Sequence, residues 1–380
     1  MNITIDREIL LENLNVISRG LPNKSPMPIL TGIKMETTDT DLFLTSSNTD
    51  ISVEVLINDA SLKIQEPGKT VVPGKQFIDI IRIIGAKKIN LYLDENNSLI
   101  IKGDKSEFNL KIMDYMDYPN IDFVTLENPL VLESSELKSI IKETVFSTAQ
   151  TEKKPILTGV NFNNKDNQLV VTATDSFRLS QKILSIDSYN DFNITIPNKS
   201  LDEMSKVMDS YDGKISLYFS SNKLLLKYKN VLFQTRLLDG NYPDTSRIIP
   251  TTFPIVIRFN RDELISAVER VSIMSPKEKE KDRETTYSII KLTIKKDRII
   301  EISTTNASIG AAKEELIPTD VEATNPITIG FSSRYFIEAL RSFISTEITV
   351  NLTGEIRPFI IKGDEDANLT QLILPVRMDY

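Results

Sequence analysis

The pentapeptide PILTG is written at 28–32 and again at 155–159. Recurrence at a domain-sized spacing signals a duplicated module, and this constrains the fold more tightly than any composition does. Around the first copy the order is strand "NITI", helix "DREILLENLNVISR", basic loop "PNKSPMPIL", then strands "TGIKMET", "DLFLTSSN" and "DISVEVLI". Around the second it is "LVLE", "SSELKSIIKETVFS", "TAQTEKKPIL", "TGVNFNN", "QLVVTATD" and "RLSQKIL". A third stretch lacks the pentapeptide but keeps the order, from "IVIRF" through "NRDELISAVERVSI" to "IGAAKEELI".

Between these lie three segments of a second kind, opening "KTVVPGKQFIDIIRIIG", "NITIPNKSLDEMSKVMD" and "ITIGFSSRYFIEALRSF", each a strand, a helix and three further strands. In their helices Phe77, Ile78, Ile81 and Ile84, like Leu201, Met204, Val207 and Met208, recur at helical spacing. The strands alternate, as in Phe108-Leu110-Ile112, so one sheet face is covered. The chain is therefore about six βαβββ copies paired into three domains at 1–125, 126–250 and 251–380. The expected class is α+β, with two helices on one side of each domain and antiparallel sheet on the other.

Length agrees, since 380 residues exceed one ordinary core. The opening "MNITI" followed by Asp6, Arg7 and Glu8 is expected to be a strand rather than a signal peptide. The most apolar stretch, "FIDIIRIIG", is broken by Asp79 and Arg82 and is too short to span a membrane. A cytoplasmic protein without membrane contact is expected. Cys and His are both absent, which removes disulfides, thiolate nucleophiles, the usual neutral-pH base and the commonest zinc ligands. No cofactor and no metal are expected. An enzyme would have to use carboxylates, and the candidate clusters are Asp364-Glu365-Asp366 and Asp114 with Asp117; a solvated turn is the competing reading for the first.

The net charge of −8 argues against indiscriminate binding to nucleic acid but allows a local basic surface. Each second-half helix carries a basic residue in its first turn and another seven later: Lys75 and Arg82, Lys199 and Lys206, Arg334 and Arg341. Seven residues are two turns, so each pair shares a face, roughly 10 Å apart along the axis. The first-half loops add Lys24, Lys153, Lys154, Lys277, Lys279 and Lys281. One pair alone would be a solvated face. Three at one repeat position predict sequence-blind contact with phosphates, since no Gly-rich loop or aromatic stripe accompanies them. The alternative is a repeat scaffold with no role on nucleic acid. The loop "SPKEKEKDRETT" alternates its charges and is expected to be disordered.

The segments "PMPILTGI", "KKPILTGVNF", "TATDSFRLS", "LLDGNYPD", "RPFIIKG" and the terminal "LILPVR" carry a resemblance over essentially the whole chain. It resembles the bacterial DNA polymerase III beta subunit family, the sliding clamps. The resemblance implies a non-catalytic processivity factor: a head-to-tail homodimer closed into a ring around double-stranded DNA. Its implied partners are the replicative polymerase, the clamp loader and other clients that dock through short linear peptide motifs. DNA contacts carried over by similarity are Lys24, Lys75, Gln150, Lys153, Lys154 and Lys199. Thr151 and the Pro155-Ile156 pair depart from part of the family, which leaves that loop's phosphate contact to Lys153 and Lys154.

The subunit join is implied at Phe108 and Leu110 on one side and at Ile273 and Met274 on the other; for Leu110 ordinary core is the competing reading. The client-peptide pocket is implied at Leu157, Thr174, Ser176, Phe177, Arg178, Leu179, Pro243, Ile248, Ile356, Pro358, Leu374, Pro375, Val376 and Arg377. Apolar walls with a few polar groups suit a peptide groove; for Leu157, Leu179 and Leu374 plain core is the competing, less favoured reading. The extension Met378-Asp379-Tyr380 runs past the usual family ending and could crowd that groove.

Overall fold

The structure, a computed structural model, describes residues 1–125, 127–151, 153–187, 191–275, 277–279, 286–295, 298–323 and 326–377, with 277–279 and 286–287 described by their backbone only. Lys281 and the Met378-Asp379-Tyr380 extension lie outside the described residues.

The described helices are α1 (Arg7–Ile17), α2 (Gly74–Ile83), α3 (Ser134–Thr144), α4 (Asn198–Val207), α5 (Arg261–Ser272) and α6 (Ser333–Ser342), each following directly on a strand. Polar residues at several of these junctions show why the chain changes conformation there. The Asp6 carboxylate accepts from the Glu8 amide at 2.9 Å, and Asn260 Oδ1 accepts from the Asp262 and Glu263 amides at 3.1 Å. Ser332 Oγ accepts from the Tyr335 amide at 3.4 Å. Each cap satisfies amides that the first helical turn leaves without a partner. The apolar stripes then turn inward: Phe77, Ile78 and Ile81 in α2, Leu201, Met204 and Val207 in α4, and Phe336, Ala339 and Leu340 in α6 are all buried.

Compactness divides the chain into two units, Met1–Ser135 with Asp202–Leu237, and Glu136–Leu201 with Leu238–Tyr380. The first unit holds a five-stranded sheet in the order Lys63–Glu66, Asn2–Asp6, Lys88–Leu93, Ser98–Gly103, Ser106–Lys111. Its eight-stranded sheet runs Leu130–Glu133, Lys214–Phe219, Lys223–Tyr228, Val231–Arg236, Ile51–Ile57, Leu42–Ser47, Gly32–Thr37, Lys69–Pro73. The second unit has a nine-stranded sheet from Phe192–Pro197 through Arg178–Ser185 and Leu369–Ile373 to Ile255–Asn260 and Asp320–Ala323. A smaller sheet there is built on Thr286–Ile294, Ile300–Asn306 and Gly310–Leu316. Every described pairing of strands is antiparallel.

The units cut across the sequence modules because the sheets do. Val231–Arg236 pairs with Ile51–Ile57, setting Phe233 opposite Val53, and Arg178–Ser185 pairs with Leu369–Ile373, setting Leu179 opposite Leu372. A sheet that continues from one module into the next leaves neither with an open edge at that join.

Three local features differ from the sequence reading. Short strands Lys63–Glu66 and Asp320–Ala323 pair with Asn2–Asp6 and Ile255–Asn260; as largely exposed outer strands they have no alternating pattern to betray them. Each "PILT" is a 3₁₀ turn, Pro28–Thr31 and Pro155–Thr158, rather than open loop: the proline presets its first position and the threonine hydroxyl donates back to the proline carbonyl at 2.7 Å. In the charged loop expected to be disordered, Lys277–Lys279 form a strand in register with Thr286–Ser288, while 276 and 280–285 lie outside the described residues. A neighbouring strand, not local propensity, supplies that order.

Burial also sets one pH response. In the strand Ile51–Ile57, desolvation raises the Glu54 carboxyl above its ordinary value, against a hydrogen bond from Thr45 and the charge of Lys34. A carboxyl raised in the folded state binds its proton more tightly there, so stability falls as pH rises from the unfolded value through the folded one. Glu54→Gln is therefore expected to raise the urea midpoint at pH 7 and to lose that advantage at pH 4. An equal shift at both pH values would contradict this origin.

Candidate nucleic-acid face, subunit edge and peptide groove

The basic helix residues fall into two groups. Those in the first turn, Lys75 and Lys199, are exposed and make no ion pair among the described residues. Those two turns later are exposed but engaged: Arg82 with Asp79 at 3.0 Å, Lys206 with Glu203 at 2.6 Å and Arg341 with Glu269 at 2.6 Å. Arg334 departs from the first group, because its Nε donates to Glu338 at 2.9 Å. In the loops Lys24 and Lys154 are exposed without an ion pair among the described residues, and Gln150 and Lys153 are exposed. Lys24, Lys75, Lys154 and Lys199 are thus the expected contacts that are exposed and without an ion pair among the described residues.

Phe108 and Leu110 lie on Ser106–Lys111, the last strand of the five-stranded sheet, where they face Ile101 and Leu99 on one side only. Both are half-buried, so neither is ordinary core. In the other unit Ile273 is 76% exposed just past α5, and Met274 is partly buried. A Cβ added to Gly310 would meet Met274 Cε at 3.2 Å, which brings the edge strand Gly310–Leu316 and its neighbour Ile309, 57% exposed, beside this apolar spot. Sequence reasoning missed Ile309, which sits in a turn with no periodicity to mark it.

Several of the expected pocket residues lie at the seam where Arg178–Ser185 pairs with Leu369–Ile373 in the nine-stranded sheet. Leu179, Ile360 and Leu372 form a buried cluster on which Ile249 and Phe253 pack. The Leu374 amide donates to the Phe177 carbonyl at 2.9 Å, and the Thr174 amide donates to the Tyr242 hydroxyl at 3.0 Å. Ser176 sits at φ 81°, a left-handed conformation that turns the loop and leaves Phe177 42% exposed. Ile248 and Ile356 are likewise exposed at 47% and 70%. Pro243 and Arg377 are exposed; Pro358, Leu374, Pro375 and Val376 are half-buried.

Three expected pocket residues are buried in the single chain. Leu157 and Leu179 are 4% and 2% exposed and belong to the core. Arg178 is 4% exposed, and its guanidinium is fully committed. It donates to Asp175 at 3.1 Å, to the Glu338 carboxylate and to the Phe146 carbonyl, and it stacks over Tyr335 at 4.3 Å. The other Asp175 oxygen accepts from the Phe177 and Arg178 amides at 2.9 and 3.1 Å. Arg178 therefore shapes the loop that presents Phe177. Asp175, Glu338 and Tyr335 were not legible as its partners.

The carboxylate clusters have structural duties. Asp366 is buried and accepts from the Ser345 amide at 2.9 Å and its hydroxyl at 2.6 Å. Asp364 meets Arg258 at 3.4 Å, and Asp114 caps a 3₁₀ turn through the Met116 amide at 2.9 Å.

Family models cover nearly all of this chain: the N-terminal domain of the DNA polymerase III beta subunit matches residues 1–122, its central domain 131–244 and its C-terminal domain 246–377. The chain belongs to the DNA polymerase III beta subunit family. It is 36% identical to the beta sliding clamps of Staphylococcus epidermidis and Staphylococcus aureus over 99% of both chains. Its fold matches the DNA polymerase sliding clamp of Bacillus subtilis with a TM-score of 0.93 at 33% identity over 100% of each chain. The beta chain of Streptococcus pneumoniae DNA polymerase III matches with a TM-score of 0.94 over 99% of this chain and 100% of that one. No described helix of this beta subunit homologue is long and apolar enough to cross a membrane.

Proposed function

We propose that the protein is a sliding clamp that encircles duplex DNA without reading its sequence and tethers the replicative polymerase and other clients in the cytoplasm. The observation that carries this reading is the pair Lys75 and Lys199: exposed, without an ion pair among the described residues, and at one repeat position in a chain of net charge −8. Lys24 and Lys154 add loop cations. Such groups attract phosphates and specify no base. The clamp's work is topological and needs no catalytic residue: leaving the template requires a subunit join to open. Two apolar edges support closure, one at Phe108 and Leu110 and one at Ile273, Met274 and Ile309, as the halves of a heterologous contact that closes into a ring. The exposed apolar side chains Phe177, Ile248 and Ile356, together with the buried cluster of Leu179, Ile360 and Leu372, support client docking by a peptide with apolar anchors.

After loading onto nicked circular DNA, the protein is expected to stay bound through gel filtration and to be lost once the circle is cut. Equal retention on both forms would defeat the topological reading. Lys75→Glu with Lys199→Glu is expected to weaken direct DNA binding and to lower the salt slope by about one for each phosphate that is no longer neutralised. Unchanged binding would favour a repeat scaffold with no role on DNA.

A further inference from the structure

The first unit contains a groove built at the same repeat position as the client groove, but with different chemistry. A pocket of about 280 Å³ is lined by Met27, Leu30, Asp50, Ile121, Lys223 and Arg236 among others. The backbone equivalence is close. The Arg236 amide donates to the Asp50 carbonyl at 3.1 Å, just as the Leu374 amide donates to the Phe177 carbonyl at 2.9 Å. Thr49, before Asp50, has φ 80°, and Ser176, before Phe177, has φ 81°. Leu30 and Leu157 occupy the same place in the two "PILT" turns, and Pro119 and Pro243 the same place in "DYPN" and "NYPD".

What changes is the rim. Asp50 stands where the later groove has Phe177, and Arg236 where it has Leu374. Lys223 is the direct cross-strand neighbour of Arg236. Like charges opposite one another on adjacent strands are destabilising, and an acceptor shared between them relieves the cost. None is present, for neither cation forms an ion pair among the described residues. Apolar surface adjoins them: Met27 is 43% exposed, and Ile121 packs on the buried cluster of Leu30, Val71 and Tyr118.

We propose that this groove binds a short peptide in which a single acidic side chain, held by Lys223 and Arg236, lies beside an aliphatic one seated on Met27 and Ile121. Asp50 and Asp122 line the same pocket and would repel a polyanion, so the lining favours a lone carboxylate over nucleic acid or polyphosphate. The proposal borrows from the client reading only the idea that the matching groove takes peptides.

Fluorescence anisotropy on the full-length protein tests it with a labelled hexapeptide GDLLGG. Saturable binding is expected to weaken roughly tenfold or more in Lys223→Glu/Arg236→Glu. The milder Lys223→Gln/Arg236→Gln, which adds no acid, should weaken it in the same direction. A GNLLGG probe should bind as weakly as those variants allow, and Ile248→Asp should leave GDLLGG binding unchanged. Absent saturable binding, loss in Ile248→Asp but not in the Lys223/Arg236 variants, or displacement by inorganic phosphate at the peptide's own affinity would each overturn the proposal. A separate peptide bearing Leu and Phe anchors, titrated against Ile248→Asp, reports on the client groove alone, so the two readings fail independently.

Discussion

Ile273→Asp combined with Ile309→Asp is expected to leave the chain folded and to convert it from a species of twice 43.0 kDa to one of 43.0 kDa in solution. Ile273 and Ile309 are 76% and 57% exposed in the single chain, so a carboxylate at either costs the fold little. In a closed join the same positions are covered. Each substitution then forfeits about 1.5–3 kcal/mol of apolar burial and adds a charge with no partner. The pair should therefore weaken association more than a hundredfold, since every 1.4 kcal/mol is about tenfold. Met274 is a less clean probe because its side chain already packs at Gly310 inside the chain. Phe108→Asp on the opposite edge should give the same monomer. Sedimentation of the variants at the wild-type mass would remove both edges from the join, whatever the ring does on DNA.

Arg178→Met should be among the damaging single substitutions in the second unit. It takes the guanidinium away from Asp175, 6% exposed, and leaves Glu338 with Arg334 as its only cation among the described residues. Breaking a buried pair by removing one partner costs roughly 3–5 kcal/mol, because a desolvated charge is left behind. Arg178→Lys should rescue little, since one ammonium cannot reproduce a fork that serves a carboxylate on each side and a backbone carbonyl. Arg334→Met removes an exposed partner of the same Glu338 and is expected to cost no more than about 1 kcal/mol. The readout is the urea transition of the second unit, followed by hydrogen exchange at the amides of Phe177 and Arg178, which Asp175 holds. If Arg178→Met shifts that transition no more than Arg334→Met does, the buried guanidinium is not what fixes the loop.

Both predictions turn on neighbours that the linear text does not contain. Local chemistry was legible: the apolar stripes read at Phe77 and Leu201 are buried. The repeat was legible too in the doubled "PILTG", although the 3₁₀ turn that each copy forms was not. Exposed outer strands such as Lys63–Glu66 were not, because their pairing comes from a strand elsewhere and leaves no alternation behind.

The amino-acid sequence by itself determined the module, its number and the inward faces of the helices that carry Phe77 and Leu201, because periodicity reports which side of an element is apolar and needs only adjacent residues. Tertiary structure alone decided which cations stay free and which are spent. Lys75 and Arg82 look alike in the text, yet only Arg82 is held by Asp79. Nothing beside Arg178 in the text announces Glu338, 160 residues away, which accepts from its guanidinium. A charge is defined by what surrounds it, and those surroundings are assembled only when distant strands and helices pack.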